Sequence, residues 1–269
     1  MQKPLVHDEY IVRMEQIGKT FNPGSVNEKT IFDGFNLNIR EHEFVSVIGS
    51  NGSGKTTMLN LLCGSLAVDS GRILFRGKEI NKLKEHQRAK FIGRVFQDPS
   101  KGTCAGLTIF ENMSLADNKG RAYNLTGGVN KKRLDQYRAM LETLGLGLEN
   151  QMNLSVGSLS GGQRQALALL MSTMTPIDLL ILDEHTAALD PRSSETVMEL
   201  TDRIVREKKI TTLMVTHNLR FAINYGNRLL MMHQGEAVVD AADEKKHEYS
   251  VDELLTIFNS ISIEVGNAV

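Results

Sequence analysis

Gly49-Ser50-Asn51-Gly52-Ser53-Gly54-Lys55-Thr56 is the stretch on which the fold turns. It matches the Gly-x-x-x-x-Gly-Lys-Thr phosphate loop. A short β-rich run over 43–48 enters it. Behind it, 55–63 carries Met58, Leu61 and Leu62 at helical spacing. The chemistry needs these residue types in this order. Glycines let backbone N–H groups turn inward around phosphates, and a helix start adds its positive dipole end. Lys55 is expected to reach the β- and γ-phosphates, and the Thr56 hydroxyl to coordinate Mg²⁺, a hard cation that prefers oxygen. The expected nucleotide contacts are Gly49, Ser50, Asn51, Gly52, Ser53, Gly54, Lys55, Thr56 and Thr57. Average residue usage makes a chance match a roughly one-per-cent event in a chain this long, and the flanking strand and helix lower that further.

Upstream, 10–14 and 35–39 alternate apolar and polar residues, as strands do, around the turn signal Asn22-Pro23-Gly24-Ser25. A small antiparallel sheet is expected there. Downstream, 71–75 reads as a strand and 132–146 as a helix with Leu134, Tyr137, Leu141 and Leu144 on one face. The segment 99–159 carries little strand signal and reads as a helical subdomain. Residues 163–174 are apolar nearly all round, which predicts a buried helix. Then 179–182 is a continuous apolar run, as a buried parallel strand should be. An amphipathic helix over 195–205, a strand over 211–215 and a hairpin around Gln234-Gly235 follow. Ser250-Val251-Asp252-Glu253 fits a capping box that starts a tail helix expected to pack on the body.

The apolar run Leu179-Leu180-Ile181-Leu182 ends in Asp183, with Glu184 next. A carboxylate at the end of a buried strand suits the Mg²⁺ shell, and Glu184 suits orientation or deprotonation of an attacking water.

The whole composition sets bounds. The chain has 269 residues, 41% hydrophobic and 23% charged, which suits one soluble domain with room for subdomains. The formal net charge is -1, which gives no support to a nucleic-acid partner. Short basic clusters at Lys131-Lys132-Arg133, Lys208-Lys209 and Lys245-Lys246 read as solvated faces. Cys63 and Cys104 lack metal-ligand spacing and suit a reduced cytosolic protein. The N-terminus, with His7, Asp8 and Glu9, is not a signal peptide. No apolar run approaches bilayer-spanning length. Any spanning is therefore left to another chain.

Leu159-Ser160-Gly161-Gly162-Gln163 decides among phosphate-loop proteins. Two glycines and a serine before a long helix make a second anion-binding N-terminus; the plainer reading is a flexible turn capped by Ser160. With a phosphate loop upstream and an Asp-ended strand about twenty residues downstream, the sequence resembles the ATP-binding-cassette (ABC) ATPases, whose signature is this five-residue string. The resemblance runs over about 10–240. It implies an α/β fold: a P-loop NTPase core of mostly parallel sheet with flanking helices, an N-terminal antiparallel β-subdomain and an inserted α-helical subdomain. The expected organisation is one ABC domain over 8–240, with its ATP-binding core at 8–98 and 160–240, its helical subdomain at 99–159, and a helical tail at 241–269.

The same resemblance assigns roles. Gln97, in Val95-Phe96-Gln97-Asp98, matches the glutamine that contacts metal and attacking water. Asp190, in Ala188-Leu189-Asp190, matches the D-loop, and His217 matches the switch histidine at the γ-phosphate. Phe21, 28 residues before Gly49, suits the aromatic that stacks on adenine. Ser160, Gly161, Gly162 and Gln163 are expected to act across a head-to-tail dimer on the partner's γ-phosphate. The implied catalytic set is Glu184, His217, Gln97 and Lys55; the metal set is Thr56, Gln97 and Asp183; the cofactors are ATP and Mg²⁺. The chain departs from the family at His185, where proline commonly follows the glutamate. His185 is either a tolerated loop variant or an ionisable neighbour that modulates Glu184.

The leading expectation is the ATPase subunit of a bacterial importer for amino acids or related small solutes. Its partners would be a second ABC subunit, expected as a homodimer, an integral-membrane permease and, indirectly, an extracellular or periplasmic binding protein. The subunit would sit peripherally on the cytoplasmic face of the membrane. The alternatives are a non-transport ABC ATPase, such as one serving iron–sulfur assembly, and a module that binds ATP without turnover.

Overall fold

The computed structural model describes residues 9–120 and 128–266, with side chains described to 260. The expectations for Met1–Asp8, and the parts of the helical segment and tail at 121–127 and 267–269, lie outside the described residues. The chain divides into two compact units, Met1–Ala89 with Leu213–Val269, and Lys90–Thr212.

In the first unit the order is β1 (Tyr10–Phe21), β2 (Lys29–Arg40), β3 (Phe44–Gly49), α1 (Lys55–Cys63), β4 (Ser70–Phe75), β5 (Lys78–Glu79) and α2 (Glu85–Arg88). In the second it is β6 (Ile92–Val95), α3 (Ile109–Asp117), α4 (Leu134–Glu142), α5 (Gly161–Thr173), β7 (Leu179–Asp183) and α6 (Pro191–Lys208). The chain then returns through β8 (Thr211–Val215) to α7 (Leu219–Asn224), β9 (Arg228–His233), β10 (Glu236–Ala242), α8 (Glu244–His247) and α9 (Val251–Gly266) of the first unit.

The antiparallel sheet runs β2-β1-β4-β5. Its strands β1 and β2 are twice as long as the alternating stretches suggested. The register slips between Met14 and Ile17 around Gln16, whose φ is 50°. A bulge shifts the period-2 pattern by one phase, so apolar alternation fades although pairing continues. In the same unit β3 pairs with β9 in parallel and β9 with β10 in antiparallel fashion. All six residues of β3 are buried, as a strand covered on both faces requires.

The second unit pairs β6 with β7 in parallel. Helix α5 buries Gln165 to Leu170 and Thr173, matching its all-round apolar reading. Between 99 and 159 the described residues form α3, α4 and four single 3₁₀ turns. Helix α4 is shorter than 132–146, because Lys131–Arg133 is a separate 3₁₀ turn capped by Asn130 and the chain bends at Gly145 and Gly147, with φ of 67° and 72°. The fold is therefore α/β, with an antiparallel sheet, parallel strands flanked by helices and a helical segment.

The tail helix docks on its own chain. Leu254 is fully buried with Ile48, Ala222, Leu229, Met231, Val239 and Ala241, and Ile257 and Phe258 pack against this cluster. The capping box is present: Glu253 N–H donates to Ser250 Oγ at 3.2 Å, and Ser250 N–H to Glu253 Oε2 at 2.7 Å.

One basic cluster departs from expectation. Lys131, Lys132, Lys208, Lys209 and Lys245 are exposed, but Lys246 is completely buried. Its Nζ donates to the carbonyls of Tyr225 and Gly226. These lie just past the end of α7, where helix carbonyls lack partners and the dipole favours a cation. Burial pushes the ammonium pKa down to about 8. Arg88 does the same for α1, donating to Leu61 and Leu62 carbonyls at 2.7 and 3.0 Å.

Candidate functional site

In the first unit the phosphate loop leaves β3 at Gly49, which is paired with Met232 of β9. A Cβ on Gly49 would lie 2.2 Å from the Met232 carbonyl oxygen, so no side chain fits there. Gly54, with φ 103°, starts α1; a Cβ on it would lie 2.8 Å from the Phe32 ring. Gly54 offers no side-chain cap to the first turn of α1, which leaves its N–H groups available to an anion. Lys55 is 5% exposed, and its Nζ donates to the Gly49 and Ser50 carbonyls at 2.6 and 2.9 Å. Ser53 Oγ is buried without a hydrogen-bond partner. An orphan hydroxyl, a buried cation and a glycine cradle together fit a polyphosphate.

Two other expected residues lie on elements tied to this strand and loop. The Thr216 N–H donates to the Val47 carbonyl of β3 at 3.1 Å, which sets the residue before His217 beside the strand that feeds the loop. His217 is exposed. Phe21 is half-buried at the end of β1, with Lys19 Nζ 5.6 Å from its ring centroid. Its strand partner is Lys29, whose Nζ would lie 3.5 Å from a Cβ on Gly52. Strand register thus brings the Phe21 end of the antiparallel sheet to the loop.

Sequence reading missed His233. Its Nδ1 lies 3.4 Å from Ser50 Oγ, and its Nε2 is buried without a partner. The signal available was its position just before the Gln234-Gly235 turn, whose Gly235 N–H donates to the Ser53 carbonyl at 3.0 Å.

In the second unit the parallel register aligns Val95 with Leu182. The segments that leave these strands, Phe96-Gln97 and Asp183-Glu184, therefore emerge at the same edge. Ligand sites of open α/β sheets form at such carboxyl ends. Gln97 is exposed, and Asp183 and Glu184 are half-buried. Glu184 has φ 50°, a left-handed conformation uncommon outside glycine, at the turn that follows β7. The buried Gln165 of α5 donates its Nε2–H to the Phe96 carbonyl at 3.0 Å, tying the Gln97 segment to the signature helix.

The signature serine caps that helix. Ser160 Oγ accepts from Gln163 N–H at 3.2 Å, and Gln163 Oε1 accepts from Ser160 N–H at 3.1 Å. A Cβ on Gly162 would sit 3.0 Å from Ser193 Cβ, so glycine permits α5 to approach the start of α6. A cavity of about 150 Å³ opens beside Ser160, Gly162, Gln163, Arg192 and Ser193. Asp190 caps α6 by accepting from Ser193 N–H at 3.1 Å, and hydrogen bonds from the Ser193 hydroxyl and N–H hold its carboxyl below the usual range.

His185 is 2% exposed. Its Nε2 lies 3.2 Å from Thr201 Oγ1, whose own hydroxyl donates to the Val197 carbonyl at 2.7 Å. Thr201 thus accepts, and the ring is the neutral Nε2–H tautomer. Burial lowers its pKa to about 4, whereas a neighbouring carboxylate would raise it. This supports the loop-variant reading over modulation of Glu184.

The unfolded chain protonates His185 below its ordinary value of 6.5, the folded chain only near 4. The contribution is present above pH 6.5 and lost as pH falls towards 4, a loss of about 3 kcal/mol. Urea midpoints at pH 7.5 and 4.5 should show this fall in the wild type and a smaller one in His185→Gln. Equal falls in the two would refute it.

A family profile described as ABC transporter matches residues 32–187. The chain belongs to the ABC transporter family. It is 46% identical over 248 residues to the tyrosine transport ATP-binding protein of Clostridioides difficile, covering 92% of this chain and 98% of that one. It is 32% identical to the methionine import ATP-binding protein MetN 2 of Rhodococcus jostii over 232 residues, 85% of this chain and 65% of that one. Among solved structures, a dimeric post-hydrolysis ATP-binding cassette bound to ADP and Pi superposes with TM-score 0.72 and 29% identity, covering 86% of this chain and 98% of that one. The protein is an ABC-type ATPase and an ATP-binding subunit of a transporter.

Proposed function

We propose that this ABC ATPase powers a bacterial importer of amino acids, with tyrosine the first substrate to test. The observation that carries this reading is the end-to-end match, over 98% of its length, to a tyrosine transport ATP-binding protein. The methionine import relative points to the same substrate class. The ATPase does not touch the solute, so the substrate rests on kinship and not on the site.

In this reading Phe21 stacks on adenine, the N–H groups of Ser50 to Thr57 and the Lys55 ammonium hold the phosphates, and His217 contacts the γ-phosphate. Mg²⁺ would neutralise phosphate charge when bound. Its donors in this chain would be Thr56, Gln97 and Asp183, all oxygen-bearing, as a hard cation prefers. Among the described residues no group of three or more His, Cys, Asp or Glu could hold a metal alone, which suits an ion carried largely by the nucleotide. Glu184 accepts the proton of the attacking water. Ser160, Gly161, Gly162 and Gln163 close on the γ-phosphate of a second copy; that a related cassette is a dimer bound to ADP and Pi supports the pairing of two copies. The rate then comes from positioning and charge stabilisation.

The permease would dock on the helical subdomain at 99–159, where Leu115, Val129 and Leu154 are exposed at 41%, 41% and 38%. Among the described residues no helix is long and apolar enough to cross a membrane. The core would comprise 8–98 and 160–240, with 241–269 as a tail. A solute-binding protein on the outer face completes the assembly, and the subunit sits at the cytoplasmic face.

Deleting the gene should abolish tyrosine uptake by whole cells, and the wild-type chain should restore it and co-purify with an integral-membrane subunit from detergent extract. Unchanged uptake of tyrosine and other amino acids, with co-purification of soluble assembly proteins alone, would overturn this reading.

A further inference from the structure

Arg94 interrupts an otherwise apolar strand. Its neighbours Ile92 and Val95 are 4% and 1% exposed. Its guanidinium Nη2 donates to Asp183 Oδ2 at 2.6 Å, with the two side chains 13% and 16% exposed. Strand geometry produces the pair. Arg94 lies opposite Ile181 in the parallel register, and Asp183, two residues on, projects to the same face. Phe96 also shares that face, and the guanidinium lies 4.7 Å from its ring centroid. The backbone is pinned behind it. Ser172 Oγ donates to the Arg94 carbonyl at 3.1 Å, and a Cβ on Gly93 would lie 2.7 Å from Ile177 Cδ1.

We propose that Arg94 is a resident counter-cation that sets the Mg²⁺ affinity of the nucleotide-loaded site. The inference rests on the reading of Asp183 as the Mg²⁺-shell carboxylate. A carboxylate this buried needs a positive partner, and Arg94 supplies one before nucleotide arrives. One oxygen of Asp183 is thus already engaged by a fixed positive charge. The same fixed charge opposes a dication approaching the other carboxylate oxygen. Free metal is disfavoured at Asp183, and Mg²⁺ binds there only with the added negative charge of the phosphates. Release of Mg²⁺ with ADP is eased for the same reason. Repulsion between the guanidinium and an incoming dication is the effect that sets the affinity.

The test is a calorimetric titration of Mg²⁺ into the ADP-loaded full-length protein, repeated with Mn²⁺ read by the electron-spin resonance of the free ion. Removing the charge in Arg94→Gln and Arg94→Met should tighten metal binding roughly tenfold, while Arg94→Lys, which keeps the charge, stays near wild type. Arg94→Gln retains a hydrogen-bond donor for Asp183, and its thermal midpoint without nucleotide reports on folding. Asp183→Asn should weaken metal binding in both the wild-type and the Arg94→Gln background. If Asp183→Asn weakens metal binding but the Arg94 variants do not tighten it, Arg94 is a strut and this inference falls alone. If Asp183→Asn leaves metal binding unchanged, the reading of Asp183 falls and takes the inference with it.

Discussion

Glu184→Gln is expected to lower ATP turnover by at least about a hundredfold while leaving ATP binding intact. Gln matches the shape of Glu and keeps its hydrogen-bonding reach, but an amide cannot accept a proton from water at neutral pH. The backbone at Glu184 has a φ of 50° and lies in the turn after β7. The Ala187 N–H closes that turn onto the Glu184 carbonyl at 2.9 Å. Nucleotide affinity should survive, because the phosphate loop belongs to a different stretch of chain. With binding kept and cleavage lost, two copies should remain closed on ATP. Size-exclusion chromatography with ATP and Mg²⁺ should show a dimer for Glu184→Gln, and phosphate release should be near background. Wild-type hydrolysis by this variant would falsify the assignment of Glu184 as the residue acting on water.

Lys55→Ala should abolish most nucleotide binding. The ammonium is 5% exposed and held by two loop carbonyls, so it is pre-positioned, and a charge-assisted contact to phosphate in a partly dehydrated loop is among the stronger single interactions available. Affinity should fall by a factor on the order of a hundred or more. The variant also leaves the Gly49 and Ser50 carbonyls without their donor, so folding needs a separate readout. Thermal midpoints serve both ends. ATP should raise the midpoint of the wild type by mass action and raise that of Lys55→Ala far less, while the nucleotide-free midpoints report the effect of the two unpaired carbonyls. An equal ATP-dependent rise in both proteins would remove Lys55 from the binding site.

Some features were legible because they are local. The strand entering Gly49, the helix from Lys55 to Cys63 and the strand from Thr211 to Val215 fall where periodicity put them. The Ser250 and Ser160 capping boxes need only residues three apart. The lengths of β1 and β2 were not legible, since the bulge at Gln16 scrambles the alternation on which strand reading depends. Lys245-Lys246 shows the limit most plainly. Two adjacent lysines look alike in sequence, yet one is exposed and the other is fully buried on the carbonyls that follow α7.

The chain's own order of residues determined the phosphate loop, the signature and the carboxylate-ended strand, and with them the family. Those motifs are written in backbone needs: glycine where no Cβ fits, serine where a helix starts, apolar residues where a strand is covered on both faces. Only the tertiary structure decided the charge state of His185, the counter-cation of Asp183, the neighbour of Ser50 and the docking of the tail helix. Each depends on partners far apart in sequence. Arg94 and Asp183 are 89 residues apart, and Ser50 and His233 are 183 apart. Pairings of that range are set by strand register and burial, which residue identity alone does not encode.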